Sequence, residues 1–436
     1  MPKVAFYTLG CKLNYAETSA IGKQFLDRGY EVVGFGEPAD VCVINTCSVT
    51  GRADRECRQI IRRAVRTSGD PFVIVTGCYA QLNPGEIASI PGVGLVLGAR
   101  EKFNLFDYVG GLEESLYPHV FVSPIDAVDS FGPACSTTLG DRTRAFLKIQ
   151  DGCDYNCSFC TIPLARGVSR SQNSDMSVAQ ARNLVAQGYK EVVLTGVNVG
   201  DYGKKTEVGL VSLLQRLVEI NGLERIRISS IEPNLITEEM IEFVAESTKV
   251  CSHFHVPLQS GCDEILRGMR RRYTTAYYRE LVERLWMRVP GCGIGIDVIV
   301  GFPGETDAQF EQTCTFLNEL PFSYLHVFTY SERPNTPAAK FQNHVEPKVR
   351  YRRNELLRIL GQKKKHAFYR NMIGLIPTVL FEGDTDGTMR FGFTDNYVRV
   401  GAPLDVAGEN DLLSVKIVRI DDGLCVGQPT REQVAA

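Results

Sequence analysis

The sequence predicts a mixed α/β protein in three parts: an N-terminal parallel-sheet α/β domain, a central partial (β/α)6 barrel and a small C-terminal β-barrel. Two long stretches alternate apolar, strand-like runs with helical segments, and a third stretch holds only β-runs broken by Gly and Asp turns. Alternating strands and helices form parallel sheets covered by helices, whereas closely spaced β-runs are typical of small barrels. The predicted domain bounds are 1–135, 140–368 and 369–433.

Length and charge limit the classes of protein that this chain can represent. At 436 residues, of which 44% are hydrophobic, the chain is long enough for two or three separate cores. Its formal charge is −3 at pH 7. Proteins that hold nucleic acid by overall charge are usually strongly basic, so any contact with RNA must be local.

Cysteine content and hydropathy indicate the compartment. The N-terminus MPKVAFYTLGCK has no cleavage site of small residues, and nowhere do about 18 uncharged apolar residues run together. We therefore expect a cytoplasmic protein that makes no contact with a membrane. Disulfides are disfavoured in the reducing cytosol, so any of the fourteen cysteines that cluster indicate metal binding or thiol chemistry.

The first domain is predicted from its alternating elements. The strand-like runs are KVAFYTLG, VVGF, DVCVINT, PFVIVTG and GLVLG, and the predicted helices cover 15–28, about 50–66 and a segment from Glu101. This order predicts a parallel sheet covered on both faces. The stretch from about 110 to 142 is richer in Pro, Asp and Ser and is predicted to be a linker.

The second domain restarts the alternation at Arg144. Its strand-like runs are AFLKIQ, EVVLTG, RIRISS, HFHVPL, GIGIDVIVG and YLHVFTY, and helices are predicted over 178–187, 210–219, 238–246 and 308–319. Six such units suggest a partial barrel, in which chemistry takes place at the carboxyl ends of the strands. A basic helix over 348–370 and the β-runs of the third domain follow.

The segment CDYNCSFC carries the first chemical motif, which we call the loop triad: Cys153, Cys157 and Cys160. Three thiolates can hold three irons of a 4Fe–4S cluster and leave the fourth iron open. S-adenosylmethionine can chelate that iron, and an electron from the cluster can then cleave it to a 5′-deoxyadenosyl radical. A structural zinc site needs a second pair of ligands, and none follows at the usual spacing. Tyr155 and Phe159 are predicted to shield the cluster or pack on an adenine.

A second set of cysteines, which we call the edge triad, is dispersed: Cys11, Cys47 and Cys78. Each follows a predicted parallel strand, and the carboxyl ends of such strands meet at one edge of a sheet, where ligands collect. Gly10 and Gly77 precede two of them and allow close approach of the backbone to a bulky group. The alternative is that these thiols are ordinary core residues. The three equivalent positions favour a second cluster.

These motifs resemble those of the radical S-adenosylmethionine methylthiotransferase family, and the likeness covers nearly the whole chain. CDYNCSFC is similar to the radical-cluster motif of the family, and TLGCKLNYAE, INTCSVTGRAD and GCYAQ are similar to the segments that supply its auxiliary cluster. HVPLQSG, IDVIVGFPGET and FTYSERPNTPA resemble later family segments, and the C-terminal β-region resembles the RNA-binding TRAM domain. The N-terminal motifs look most like the branch that acts on N6-threonylcarbamoyladenosine at position 37 of transfer RNA.

The resemblance implies an enzyme that has two 4Fe–4S clusters and uses S-adenosylmethionine as both methyl donor and radical source. One molecule would methylate a sulfur held on the auxiliary cluster. Another would yield the radical that activates C2 of adenine for insertion of the methylthio group. The implied partners are transfer RNA, contacted at its anticodon loop, and an unidentified electron donor.

S-adenosylmethionine needs contacts to its carboxylate, ribose and adenine, which in a partial barrel come from successive strand ends. The candidates at these ends are Gly196, Asn198, Ser230, Glu232, Gln259, Asp297 and Ile299. Asn198 has the alternative role of a turn residue. His253 and His255 alternate on a strand, and we favour a core or supporting role for them over metal ligation.

Basic residues indicate where RNA binds. The predicted helix over 348–370 is rich in Lys and Arg, including Lys363, Lys364 and Lys365, which suits contact with phosphates. A solvated helical face is the alternative, since the helix also carries apolar residues. A second stripe is predicted from Arg52, Arg55, Arg62 and Arg66. Phe391, Phe393 and Tyr397 in the third domain suit either base stacking or a barrel core.

Three other functions remain open from the sequence. A methylthiotransferase could act on isopentenyladenosine or on an aspartate of a ribosomal protein. The isopentenyl group is apolar, whereas threonylcarbamoyladenosine has a carboxylate that calls for a cation, for which Arg333 is the candidate. A non-catalytic iron–sulfur protein that binds RNA or carries electrons would need clusters closed by four cysteines, which the spacing does not provide.

Overall fold

The computed structural model describes residues 1–67, 70–109, 118–136, 143–206 and 208–429. Part of the predicted linker over 110–142 and residues 430–433 of the predicted third domain therefore lie outside the described residues. Among the described residues, no helix combines the length and the apolar composition that are needed to cross a bilayer.

The N-terminal domain is a six-stranded, fully parallel sheet with the order β2-β1-β3-β4-β5-β6. Its strands are β1 Lys3–Thr8, β2 Glu31–Val33, β3 Val41–Thr46, β4 Phe72–Gly77, β5 Val93–Leu97 and β6 His119–Phe121. Its helices are α1 Lys12–Leu26, α2 Gly51–Val65, α3 Cys78–Leu82, α4 Pro84–Ala88 and α5 Phe106–Val109. Every residue of β3 is buried, as expected for an apolar run covered on both faces.

Three elements of this domain differ from the sequence-based expectation. Helix α1 begins at Lys12, directly after Cys11, rather than at residue 15. Helix α3 begins at Cys78 itself, where no helix was predicted. Strand β6 comes from the predicted linker and pairs with β5 through Leu95, Val96 and Leu97. A three-residue edge strand with one half-buried face has too little periodicity to stand out in a sequence.

The central domain is the predicted partial barrel, and its six strands run parallel. The barrel strands are β7 Ala145–Lys148, β10 Glu191–Thr195, β11 Arg225–Ile228, β12 His253–His255, β13 Gly293–Val300 and β14 Tyr324–Thr329. Two three-stranded sheets, β11-β10-β7 and β12-β13-β14, are joined by bridges Ile226↔Val250 and Ser230↔His255. A small ribbon of β8 Gln150–Asp151 and β9 Arg170–Ser171 flanks the first strand.

Helices cover the outside of this barrel. They are α6 Ile162–Arg166, α7 Ser174–Ala186, α8 Leu210–Val218, α9 Glu238–Glu246, α10 Asp263–Gly268, α11 Thr275–Arg288, α12 Asp307–Glu319 and α13 Pro347–Arg370. The sequence analysis named no helix at α6, α10 or α11. Helix α11 is capped by the Thr274 side chain and buries Tyr278, Leu281 and Val282, among charged residues that obscure its apolar face.

The C-terminal domain is a five-stranded closed barrel with the order β15-β16-β17-β19-β18. Its strands are β15 Thr378–Thr385, β16 Met389–Thr394, β17 Arg399–Pro403, β18 Leu412–Asp421 and β19 Leu424–Pro429. It docks against the amino ends of the central strands. Arg225 and Arg227 of β11 donate to the carbonyls of Phe393 (2.9 Å) and Asp395 (2.7 Å), respectively.

The N-terminal domain docks on the side of the central barrel. Helix α1 packs against β7, and α3 packs against α6. Gly51 N donates to Ser331 Oγ at 3.0 Å, and Thr161 Oγ1 donates to the Ser48 carbonyl at 3.2 Å. This docking brings the carboxyl edge of the first sheet to the loop that follows β8.

Candidate active site

The loop triad lies between β8 and α6, in a loop fixed by hydrogen bonds at several points. Cys153 N donates to the Gly167 carbonyl at 3.0 Å, and Ser158 donates from N to Met269 O (3.1 Å) and from Oγ to Gly268 O (2.7 Å). The loop is therefore anchored on both sides of Cys157. Its three cysteines are brought close to one another.

Each sulfur of the loop triad accepts a hydrogen bond. Tyr155 N donates to Cys153 Sγ and Ile162 N to Cys160 Sγ, both at 3.4 Å, and Arg271 Nη1 lies 3.0 Å from Cys157 Sγ. These donors favour thiolates over thiols. Burial has the opposite effect and raises the pKa of Cys153 and of Cys160 to about 12. The thiolates therefore form together with the cation that binds them, as expected for metal ligands.

Arg271 is a site residue that the sequence analysis missed. Besides Cys157, it pairs with Glu232, and its Nε donates to Tyr273 Oη at 3.0 Å. The guanidinium of Arg272 lies 4.0 Å from the ring centroid of Tyr155. In the sequence, Arg271 lies in a run of three arginines at 270–272, a pattern that is typical of a solvated surface and does not indicate a contact with a cysteine.

The edge triad converges as the sheet edge predicts. Cys11 follows β1, Cys47 follows β3, and Cys78 opens α3 after β4. Gly10 has φ +102°, and a Cβ added there would lie 2.8 Å from Cys47 Cβ and 3.0 Å from Cys47 Sγ. The loop that carries Cys11 therefore reaches Cys47 only because residue 10 is glycine.

Gly77 has the same role next to Cys78. Its φ is +98°, and an added Cβ would lie 2.5 Å from Thr46 N, in the segment that leads to Cys47. Burial, together with the neighbouring Cys78 and Cys11, raises the pKa of Cys47 to about 12. Three thiols that affect one another electrostatically, two of them buried, and two glycines that open space around them fit a bulky iron–sulfur group.

Other cysteines near the edge triad have structural roles. Cys57 is fully buried on α2, and its Sγ lies 3.3 Å from the carbonyl of Cys47. Cys42 is buried in the middle of β3, as expected for a core residue. Neither one follows a strand end.

The predicted S-adenosylmethionine contacts lie along the carboxyl edge of the barrel, but the side chains of four of them already have partners within the protein: Asn198, Glu232, Ser230 and Asp297. Asn198 accepts from Glu232 N at 3.1 Å and donates from Nδ2 to Asp201 Oδ2 at 3.1 Å. The carboxylate of Glu232 pairs with Arg271. Gly196 leaves space beside Gln150, since an added Cβ would lie 2.8 Å from Gln150 Oε1. Asn198 has an extended backbone, so the alternative role of a turn residue with unusual angles does not apply.

A chain of half-buried polar side chains starts at Ser230 near that edge and ends at His326, which is exposed. Ser230 Oγ lies 2.5 Å from His255 Nδ1, and His255 Nε2 lies 2.9 Å from Asp297 Oδ1. The same Asp297 oxygen is 3.0 Å from His326 Nδ1. These hydrogen bonds hold the pKa of Asp297 below its usual range against the effect of burial. His253 is buried, and its Nε2 forms a hydrogen bond with Tyr324 Oη at 2.8 Å, as expected for a core residue.

Unpaired polar atoms lie at successive strand ends. Within the described residues, Thr195 Oγ1, Ser229 Oγ and Gln259 Oε1 are buried without a hydrogen-bond partner. Gln259 also has φ +70°, although its backbone N donates to the carbonyl of Asp297 at 2.8 Å. Buried polar atoms that lack a protein partner fit a polar ligand in this position. Ile299 is half-buried beside them and packs with Phe159 in one apolar cluster.

Tyr155 is a buried support of the loop. Its hydroxyl donates to Asn234 Oδ1 at 3.0 Å, and its ring lies under Arg272. Of the two predicted roles, shielding the cluster loop is the one that these contacts favour.

Arg333 does not offer a free cation. Its side chain is 4% exposed, Nη1 lies 2.7 Å from Asp54 Oδ2, and Nη2 donates to Ser48 Oγ at 2.7 Å. The guanidinium links the two domains next to Cys47, and its charge is already neutralised by Asp54. The expected role in recognising a substrate carboxylate therefore has no free charge to rest on.

The basic helix α13 presents fewer free cations than its sequence suggests. Arg350 and Arg353 are buried in ion pairs with Glu332 and with Glu305. Lys364 Nζ donates to the carbonyls of Asn318 (2.7 Å) and Leu320 (2.8 Å), where it caps α12. Lys365 is half-buried 5.0 Å from the ring centroid of Tyr369. The exposed cations of this helix are Lys348, Arg352, Arg358, Lys363 and Arg370.

Of the other predicted RNA contacts, the arginines of α2 are exposed, whereas two of the aromatic rings are packed between domains. Arg52, Arg55, Arg62 and Arg66 are all exposed on or just after α2. Phe393 and Tyr397 stack on each other with ring centroids 4.9 Å apart, and Arg144 lies 4.7 Å from the centroid of Phe393. These two rings therefore pack within the interface between the C-terminal and central barrels.

Comparison with known proteins gives matches over most of the chain. Residues 147–317 match the model of the Radical SAM superfamily, and residues 3–98 match that of the uncharacterized protein family UPF0004. The threonylcarbamoyladenosine tRNA methylthiotransferase MtaB of Bacillus subtilis is 42% identical over 96% of this chain and 93% of its own length. The tRNA-2-methylthio-N(6)-dimethylallyladenosine synthase of Geobacter sulfurreducens is 36% identical over 86% of this chain and 85% of its own length.

Solved structures show a related fold. The radical S-adenosylmethionine methyltransferase TsrM from Kitasatospora setae, with tryptophan substrate and a SAM analog bound, has a TM-score of 0.59 and 16% identity. The match covers 88% of this chain and 79% of that chain.

Proposed function

Because the chain belongs to the radical S-adenosylmethionine tRNA methylthiotransferase family, in its MtaB-like branch, we propose that it modifies N6-threonylcarbamoyladenosine at position 37 of transfer RNA. The product would carry a methylthio group on C2 of the adenine. A radical SAM enzyme uses S-adenosylmethionine and a 4Fe–4S cluster, for which the loop triad is our assignment. The observation that carries the proposal is the convergence of two cysteine triads at the contact of two domains.

When bound, two 4Fe–4S clusters and S-adenosylmethionine supply the radical and the methylthio sulfur of this reaction. The chain itself has to hold these groups and exclude water. Arg271 and the backbone N–H groups of Tyr155 and Ile162 stabilise the thiolates of the loop triad. Glu232, by pairing with Arg271, fixes the position of that guanidinium.

The unpaired atoms at the barrel edge are suited to orient S-adenosylmethionine. Gln259 Oε1, Ser229 Oγ and Thr195 Oγ1 are buried, so a ligand that satisfies them removes the cost of leaving them unpaired. The edge triad faces this end of the barrel, because α3 and α6 pack together. We infer that the target adenine lies between the two triads, with the anticodon loop held outside.

The test of the proposed substrate is mass analysis of transfer RNA nucleosides. Cells that lack this protein are expected to retain N6-threonylcarbamoyladenosine and to lose its 2-methylthio derivative. Expression of the chain from a plasmid should restore the derivative, and expression of a Cys153→Ala variant should not, since it lacks a ligand of the loop triad. A loss confined to the methylthiolated dimethylallyladenosine would contradict the proposal.

That outcome would support the second candidate substrate, because dimethylallyladenosine synthases are also relatives of this chain at 36% identity or less among those compared. The paired state of Arg333 leaves the apolar alternative open, since this residue offers no unbalanced charge for a carboxylate. The identities of 42% and 41% to two of the MtaB proteins favour the threonylcarbamoyl substrate.

We further propose that transfer RNA contacts the exposed cations of α13 and the C-terminal barrel. Lys363, His366 and Arg370 line one groove on this helix, and Lys363 and Arg370 are exposed. Phosphate contacts position a nucleic acid without reading its sequence. Of the three lysines predicted from the sequence, Lys363, Lys364 and Lys365, only Lys363 is therefore proposed to contact phosphate, together with Arg370.

Changing Lys363 and Arg370 to Glu is expected to weaken binding to many transfer RNAs alike. The logarithmic dependence of affinity on salt should become shallower by about 0.7–0.9 for each phosphate contact that is lost. The measurement is affinity at several salt concentrations. Lys23→Glu with Arg28→Glu is the matched control, because both residues lie at the end of α1 remote from the cysteine edge. Equal affinities for the two double variants would remove α13 from the interface.

A further inference from the structure

A buried network of charges lies between the two cysteine triads. Its carboxylates are Glu17 of α1 and Asp151 of β8, and its cations are Lys102, Lys148 and Arg166. Lys102 Nζ lies 2.7 Å from Glu17 Oε2, and Lys148 Nζ lies 2.6 Å from Asp151 Oδ2. All five residues are at least nine-tenths buried. The network connects residues of the N-terminal domain with residues of the central barrel.

Arg166 is the centre of this network. It closes α6, six residues after Cys160, and its Nη1 lies 3.0 Å from Glu17 Oε1 and 2.9 Å from Asp151 Oδ1. Its Nη2 donates to Asn14 Oδ1 at 2.6 Å. One guanidinium therefore contacts Glu17 and Asn14 of α1 and Asp151 of β8.

Asn14 carries this contact to the edge triad. Its Nδ2 donates to the carbonyls of Leu9 (2.7 Å) and Thr46 (3.0 Å), which lie just before Cys11 and Cys47. The Oδ1 that accepts from Arg166 also lies 3.7 Å from Cys11 Sγ. Helix α3, which begins at Cys78, packs against α6. All three segments of the edge triad are thus adjacent to Arg166 or to its direct partner.

The network carries more positive than negative charge. Burial alone would raise the pKa of Glu17, but Arg166, Lys102 and Lys148 outweigh it and hold that pKa well below its ordinary value, so Glu17 is ionised. Asp151 forms ion pairs with Lys148 Nζ at 2.6 Å and with Arg166 Nη1 at 2.9 Å. Lys102, Lys148 and Arg166 therefore face two carboxylates; burial lowers the pKa of Lys102, and the neighbouring Glu17 opposes that effect. Arg170 adds a fourth cation 3.7 Å from Asp151 Oδ2.

Among the described residues, no other carboxylate lies within ion-pair distance of these cations. Excess charge in a buried site is costly unless an opposite charge balances it. A 4Fe–4S cluster held by three thiolates is an anion, and it becomes more negative on reduction. An anionic cluster at the edge triad would supply the missing negative charge.

We propose that Arg166 tunes the reduction potential of the cluster held by Cys11, Cys47 and Cys78, by placing uncompensated positive charge beside it. This inference rests on the proposed function, because it assumes a cluster at the edge triad. Positive charge stabilises the reduced cluster relative to the oxidised one, and the effect is large where water is excluded. Arg166 is thus a positioning residue that acts on the cluster through charge and through Asn14.

The test is a redox titration followed by electron paramagnetic resonance. It uses the full chain with Cys153, Cys157 and Cys160 changed to Ala, so that only the edge cluster contributes. Arg166→Gln should lower the midpoint potential by about 59 mV or more, which is tenfold in the ratio of oxidised to reduced cluster. Glu17→Gln removes negative charge and should raise the potential. Arg166→Lys keeps the charge and should restore most of the shift.

The matched control is Arg353→Gln, which removes an equally buried, ion-paired guanidinium from the outer face of the central barrel. It should lower stability without moving the potential. Opposite shifts in Arg166→Gln and Glu17→Gln separate a charge effect from general loosening of the fold. If the Arg166→Gln variant does not fold, the Glu17→Gln variant tests the proposal: a rise in its midpoint potential supports the charge effect, and a fall or no change contradicts it.

Two failures are distinguishable. A parent protein without iron at the edge triad would contradict the proposed function. A parent with an intact cluster, whose potential stays the same in the variants that fold, would overturn the role of Arg166 and leave the proposed function standing.

Discussion

Replacing Cys153, Cys157 and Cys160 together by Ala is expected to leave about half of the iron and to abolish cleavage of S-adenosylmethionine. The anaerobically purified parent should hold two 4Fe–4S clusters, or about eight iron atoms per chain. The three sulfurs accept hydrogen bonds from Tyr155 N, Ile162 N and Arg271, which prepares them as thiolate ligands. The measurements are iron content and formation of 5′-deoxyadenosine under reducing conditions.

The control for this variant is a chain with Cys135, Cys292 and Cys314 changed to Ala. Two of these thiols are half-buried and one is buried, and none of them lies in either triad. This control should keep its iron and its cleavage activity. Formation of 5′-deoxyadenosine by the loop-triad variant would show that the radical site has been assigned to the wrong cysteines.

Replacing Cys11, Cys47 and Cys78 by Ala is expected to remove the other half of the iron while cleavage of S-adenosylmethionine persists. The two triads have separate backbone supports: the edge of the N-terminal sheet for one, and the loop after β8 for the other. Methylthiolation of transfer RNA should be lost, because the resemblance assigns the sulfur to this cluster. Product analysis by mass spectrometry and iron content check the expectation.

Cys42→Ala combined with Cys57→Ala is the control for the edge triad. Both residues are buried in the same domain, yet neither follows a strand end. The control should lose some stability, on the order of 1 kcal/mol per site, and keep both clusters. If the edge-triad variant kept the iron content of the parent, Cys11, Cys47 and Cys78 would be ordinary core residues and not cluster ligands.

The fold class followed from the sequence because strands such as β3 and β4 are continuous apolar runs between turn residues. Patterns of apolar residues did not predict β6 or α11. Strand β6 is three residues long, and α11 carries charged side chains on most of its surface. Short edge strands and charged helices get their stability from tertiary packing, which a local pattern does not record.

The site was predictable where one residue type repeats at equivalent places. Cysteines that follow three strands of a parallel sheet are such a case, since their convergence follows from topology alone. Charged residues were not predictable in this way. No local pattern distinguishes the surroundings of Arg271, Arg333 and Lys364. In the structure, Arg271 contacts Cys157, Arg333 pairs with Asp54, and Lys364 donates to carbonyls at the end of α12. Which partner an Arg or Lys finds depends on contacts between residues that are far apart in the chain.

The way in which the C-terminal barrel docks determines how its contribution can be studied. Arg225 and Arg227 of the central barrel donate to carbonyls of Phe393, Thr394 and Asp395, and Arg227 is fully buried. A truncated chain would lose these hydrogen bonds and expose to water two arginines that the contact between the barrels now buries. Excision would therefore change the amino ends of the central strands, so a loss of activity in a truncated chain would not by itself report lost contact with RNA. The stability of the two barrels is coupled through this contact, so a ligand that bound the C-terminal barrel would also stabilise the barrel that holds the loop triad.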